Sequence, residues 1–121
     1  MKCVKRIALV LYIALVFYLT VIKRQSYFEQ SIKPLFWEIR NGMWSDIVLN
    51  ILLFLPIGLI IGSKWGIVIG SILACTIEIL QYSLHRGFCE IDDVVNNVIG
   101  AAVGVAIWKT IKKMEGKKCT L

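Results

Sequence analysis

The stretch WGIVIGSILACTIEILQYSL, residues 65–84, decides the fold class of this chain. It is twenty residues long and carries a single charge, Glu78. Crossing a hydrocarbon core of about 30 Å takes roughly 20 apolar residues in a helix, so this segment spans without help. Three further apolar runs flank it: Ile7–Ile22, Ile47–Ile61 and Val94–Trp108. These are shorter and reach the same length with flanking residues, snorkelling Lys and Arg, or local thinning of the bilayer.

Composition agrees. Hydrophobic residues make up 58% of the 121, charged ones 18%, and the mean hydropathy is +0.74. A small water-soluble domain buries too little of its chain to hide that much apolar surface. The expected fold is all-α: a four-helix integral membrane bundle, with helices near 5–22, 46–62, 65–84 and 92–110, forming a single domain over 1–121. The first run follows Lys2, Lys5 and Arg6 as a signal peptide would, but no small-residue cleavage pattern follows it. It reads as an uncleaved anchor. Cys3, Cys75, Cys89 and Cys119 show no CxxC pairing and no His-rich neighbour, which argues against zinc and against a disulfide framework.

Charge placement predicts orientation. With the N-terminus inside, nine of fourteen basic residues fall on the cytoplasmic side: Lys2, Lys5, Arg6, Lys64, Lys109, Lys112, Lys113, Lys117 and Lys118. That bias is expected to place both termini on the cytoplasmic side of the membrane. Seven of eight acids fall on the other side. The net charge of +6 then reads as contact with anionic inner-leaflet lipid, not with nucleic acid.

Between the first two spans, Ile32, Leu35, Phe36, Ile39 and Met43 recur at helical spacing. Pro34 suits a first turn and Asn41-Gly42 a stop, while Trp37 and Trp44 fit the headgroup belt. The segment is expected to be a short amphipathic helix lying at the interface; the plain alternative is a polar loop.

Polar groups inside spans cost roughly 2.5–3.5 kcal/mol each at the helix centre. Here they gather at one depth: Asp46 and Asn50 on the second helix, Glu78 and Gln81 on the third, Asp92, Asp93, Asn96 and Asn97 on the fourth. Spacings of three and four put each set on one helix face. The expectation is an outward-opening pocket of Asp46, Asn50, Glu78, Gln81, Asp92, Asp93 and Asn97, with Arg86 as counter-ion. Helix capping by Asp92 or Asp93, and hydrogen-bond glue by the amides, is the structural alternative. Pro56 is expected to kink the second helix. Gly58 and Gly62, and Gly100 and Gly104, offer small-residue packing faces, within the chain or in an oligomer.

At these positions the chain resembles the VanZ-like family of bacterial membrane proteins. The matching blocks are Asp46-x-x-x-Asn50-x-x-x-Phe54-x-Pro56-x-Gly58, Glu78-x-x-Gln81, and Arg86 followed by Ile91-Asp92-Asp93-x-x-x-Asn97-x-x-Gly100-x-x-x-Gly104, covering about 46–108. Glu90 stands where many members have Asp. The resemblance implies an accessory role at the cell envelope in resistance to glycopeptides such as teicoplanin, with no cofactor. Membrane lipids, a lipid-linked wall precursor or the glycopeptide itself are the implied partners. The second reading is a membrane enzyme acting on a lipid headgroup or lipid-linked phosphate, with Asp46, Glu78 and Asp93 holding a divalent cation and His85 and Arg86 on the phosphate. A small transporter is the third; polar groups at one end only make a poor path across.

Overall fold

A computed structural model describes residues 2–22, 32–84 and 89–119. Helix α1 (Lys2–Phe17) continues as a π turn over Tyr18–Ile22. A two-residue strand β1 (Ile32–Lys33) precedes the short helix α2 (Trp37–Arg40). Helices α3 (Trp44–Ile61) and α4 (Lys64–Ser83) follow, then a two-residue strand β2 (Cys89–Glu90) and α5 (Ile91–Cys119). Four of these helical segments are long and apolar enough to cross a membrane.

Polarity is inverted relative to a water-soluble protein. Leu11, Leu49, Ile72 and Ile79 are each more than 60% exposed, whereas Glu78, Gln81, Asp92, Asp93 and Asn97 are buried. An exposed apolar mantle of that extent has no stable state in water and an ordinary one in lipid.

The bundle is organised by α3 against α5, and glycine makes their approach close. A Cβ on Gly58 would collide with the Ala101 carbonyl and lie 2.8 Å from the Val105 nitrogen. A Cβ on Gly100 would strike the Ile51 carbonyl, and one on Gly104 the Leu55 carbonyl. These three glycines are therefore taken up inside the chain as backbone-to-backbone contact, the usual role of small residues between membrane helices. Gly62 packs against α5 too, the Trp108 indole taking the place of its Cβ, and it also ends α3 as a left-handed cap (φ 68°), its N–H bonding the Gly58 carbonyl at 2.8 Å.

Helix α4 adds a stripe that the sequence reading overlooked. Gly66, Gly70 and Ala74 follow one another at four-residue spacing, all buried. A Cβ on Gly70 would come within 2.8 Å of the Ala101 Cβ, and one on Gly66 within 2.9 Å of Val105 Cγ2. Ala101 thus sits between α3 and α4, and α5 is held on two adjoining faces.

Helix α1 is the outlying member. It reaches the core of Phe54, Ile57, Leu73 and Ile77 through Val16 and Val21, with Leu9, Tyr12 and Ile13 packed alongside. Within α3, Pro56 has no N–H to offer the Leu52 carbonyl; the Tyr12 hydroxyl donates to the neighbouring Leu53 carbonyl at 2.6 Å.

The expected short helix before α3 is present as α2. Only Trp37–Arg40 is helical. Pro34 lies ahead of it in a turn, its carbonyl accepting the Trp37 N–H at 3.2 Å, and Ile32–Lys33 pairs in parallel with Cys89–Glu90. The stop at Asn41-Gly42 is realised: Gly42 adopts φ 65°, and Asn41 donates backbone and side-chain N–H to the Trp37 carbonyl.

Candidate functional site

The polar residues of α3, α4 and α5 meet at the end of the bundle where α3 and α5 begin and α4 finishes. Asn50 Nδ2 donates to Asp93 Oδ1 at 2.7 Å, linking α3 to α5. Glu78 Oε2 accepts the Glu90 backbone N–H at 2.9 Å, linking α4 to β2. Gln81 Nε2 donates to the Thr20 carbonyl at 2.7 Å. That carbonyl belongs to the π turn of α1, so Gln81 fastens the outlying helix to the bundle.

Asp92 has a different task from its neighbour. Both of its oxygens serve α2, accepting the Phe36 N–H at 2.7 Å and the Glu38 N–H at 2.9 Å. Phe36 stands in the left-handed region (φ 66°) and has no side-chain cap of its own to offer. A carboxylate from α5 therefore supplies the side-chain cap that α2 lacks. Asp92 is a cap, as the structural alternative held, but of another helix than the one it sits on.

Glu38 is the residue that sequence reasoning missed. It is fully buried, and Asn96 Nδ2 donates to its Oε2 at 2.8 Å. No local signal marks it, because it lies beside the apolar stripe of its own segment, where an acid normally faces water. Only the docking of α2 onto α5 turns it inward. There it joins Glu90 and Asp93: one carboxylate oxygen from each lies within 4.8 Å of the others. The triad shares only Asp93 with the set Asp46, Glu78 and Asp93 anticipated for a cation.

Asp46 stays exposed in the first turn of α3, yet it lines a polar cavity of about 150 Å³ with Asn50, Glu90 and Asp93. Asn97 is buried one turn below Asp93, its Oδ1 without a hydrogen-bond partner among the described residues. Arg86 and His85 lie outside the described residues.

Burial is the largest influence on Glu38 and holds its carboxyl above the ordinary value of 4.5. Glu90 and Asp92 act in the same direction, and a hydrogen bond with Asp93 acts against them. A carboxyl with a raised folded-state pKa binds its proton more tightly folded than unfolded. Its contribution to stability is then complete below about 4.5 and is lost as pH rises through the raised value. In chelator-containing buffer, the unfolding midpoint is expected to fall from pH 4.5 upward in the native protein and to flatten in the Glu38→Gln variant. An equal slope in both would remove Glu38 as the titrating group.

Chemically, the cavity is rich in acceptors. Carboxylates and amide oxygens from α3, β2 and α5 suit a ligand that donates hydrogen bonds, or a hard cation with oxygen preference.

The family model described as VanZ/LLP1 matches residues 9–112. Protein VanZ of Enterococcus faecium is 25% identical over 133 aligned positions, which cover 97% of this chain and 81% of that protein. No solved structure matches the chain.

Proposed function

This chain belongs to the VanZ/LLP1 family, and from that premise we propose that it is an accessory protein of the bacterial cell envelope that lowers sensitivity to teicoplanin. In this reading both termini are cytoplasmic, and the acidic end of the bundle opens outward. Its cavity takes the donor-rich portion of a lipid-linked wall precursor, whose hydroxyl and amide N–H groups match carboxylate and amide acceptors. The segment from β1 to α2 covers the site at headgroup level, with Leu35, Phe36 and Ile39 about half exposed toward the interface.

The observation that carries this reading is the shared cavity of Asp46, Asn50, Glu90 and Asp93 at the mouth of an otherwise apolar bundle. The test is teicoplanin susceptibility of cells with and without the gene. The gene is expected to raise the inhibitory concentration. Asp93→Asn is expected to return it to baseline at an unchanged level of protein in the membrane. No difference between cells with and without the gene removes the resistance role.

A second reading has one observation in its favour, the Glu38–Glu90–Asp93 triad. Three carboxylates brought together from three elements, with Asn50 and Asn96 orienting two of them, suit a divalent cation. Bound there, a cation would polarise a phosphoryl oxygen of a lipid-linked phosphate, and the protein would be an enzyme. Saturable binding of Mn²⁺ to purified protein, read by electron paramagnetic resonance and abolished by Asp93→Asn, is the expected result under this reading; absence of saturable binding removes it.

A further inference from the structure

The opposite end of the bundle, where α1 begins and α5 runs out, carries a second cleft. Helix α1 meets the core through Leu9 and the residues after it, and its first turns border a gap to α3 and α5. The space between has a volume of about 380 Å³ and is lined by Val4 and Ala8 of α1, Ile60 of α3 and Ile111 of α5, with Lys5 and Trp108. Apart from the lysine, these are apolar or aromatic side chains, so in a membrane the cleft takes an acyl chain.

Trp108 is fixed there by the end of α3. Gly62 has no Cβ, and the indole occupies that place, with its Cγ 3.1 Å from where a Cβ would stand. Two ammonium groups from different helices converge on this ring. Lys5 Nζ lies 4.2 Å from the ring centroid and Lys112 Nζ lies 5.0 Å from it. Each is attracted by the π face, but the two repel one another. Glu115 stands 3.8 Å from Lys112, yet both side chains are about 60% exposed, and a solvated pair of this kind neutralises little. Arg6, Lys109 and Lys113 lie at the same end and add positive potential.

An apolar cleft beside paired ammonium groups matches one class of membrane component. We propose that this cleft binds an anionic phospholipid, one acyl chain lying between α1, α3 and α5 and the phosphate seated against Lys5 and Lys112. The apolar walls accept any lipid chain; the lysines select the charge of the headgroup. The site lies away from the acidic cavity and does not depend on the envelope role proposed above.

Trp108 is its own reporter. A variant with Trp37, Trp44 and Trp65 replaced by Phe is reconstituted in phosphatidylcholine vesicles containing a small fraction of lipid with brominated chains. Brominated phosphatidylglycerol is expected to quench Trp108 more strongly than brominated phosphatidylcholine at the same mole fraction. Each lysine is expected to supply about a fivefold preference at low salt, so Lys5→Gln and Lys112→Gln each reduce it about fivefold and the double substitution leaves only the weaker preference due to Arg6, Lys109 and Lys113. Both lysines are exposed, and helix content by circular dichroism is expected to be unchanged. Equal quenching by the two lipids, or a double variant that keeps the native preference, overturns the assignment.

Discussion

Replacing Gly58 with leucine is expected to unfold the bundle or to lower its unfolding free energy by at least about 3 kcal/mol in detergent. Overpacking a core ordinarily costs about 1–3 kcal/mol, because side chains move aside. At Gly58 the obstacle is backbone: the Ala101 carbonyl and the Val105 nitrogen on α5. Neither can turn away without separating α3 from α5, and that separation also opens the contacts at Gly100 and Gly104. Gly116 is the control. It lies on the same α5, and a Cβ there would meet nothing within 4 Å. Gly116→Ala is expected to leave stability unchanged or raise it by up to about 1 kcal/mol through helix propensity. Unfolding in SDS followed by circular dichroism separates the two. A Gly58→Leu variant as stable as Gly116→Ala would show that the α3–α5 crossing is not a close backbone contact.

Asp92→Ala is expected to cost on the order of 3 kcal/mol and to release α2 first. Hydrogen bonds to a charged group contribute about 1.5–3 kcal/mol each, and leaving a buried N–H without a partner adds its desolvation cost. Asp92 accepts two such bonds, from Phe36 and Glu38, and the second of these is fully buried. Its loss also leaves the left-handed turn at Phe36 unsupported. Asp92→Asn is expected to cost roughly half as much, since one amide oxygen remains to accept and the amide nitrogen cannot. Amide hydrogen exchange is the sensitive measurement: residues 36–42 should lose protection at denaturant levels that leave α3 and α5 protected. Simultaneous loss across the protein would mean that α2 is not a separately supported element.

These two residues differ in how far the sequence revealed them. Gly58, Gly100 and Gly104 were visible as four-residue repeats, because glycine in a span is informative about approach distance whichever helix is on the other side. The repeat Gly66, Gly70 and Ala74 on α4 carries the same signal, weakened by the alanine at its third position. Asp92 was legible as a costly acid near a span, but its partner was not. Capping rules are local, and they point to the N-terminus of the helix an acid belongs to. Here the acid reaches across 54 residues of chain to Glu38.

Glu38 marks the boundary most sharply. Read in its own segment it is an acid beside an apolar stripe, with water as its natural neighbour. Docked, it is buried against Asn96, Glu90 and Asp93. Helix α2 is confined to four residues by the Pro34 turn before it and the Asn41-Gly42 stop after it.

From composition, run length and the depth of its polar residues alone, this chain is bound to a membrane as four helices with a polar end. Those properties follow from transfer energies, which each residue carries whatever its neighbours. Which acid caps, which acid is buried, and which three stand together were decided only when α2 settled on α5. Hydrogen bonds and close carboxylate groupings depend on distances of a few ångströms between distant parts of the chain, and no local pattern encodes those.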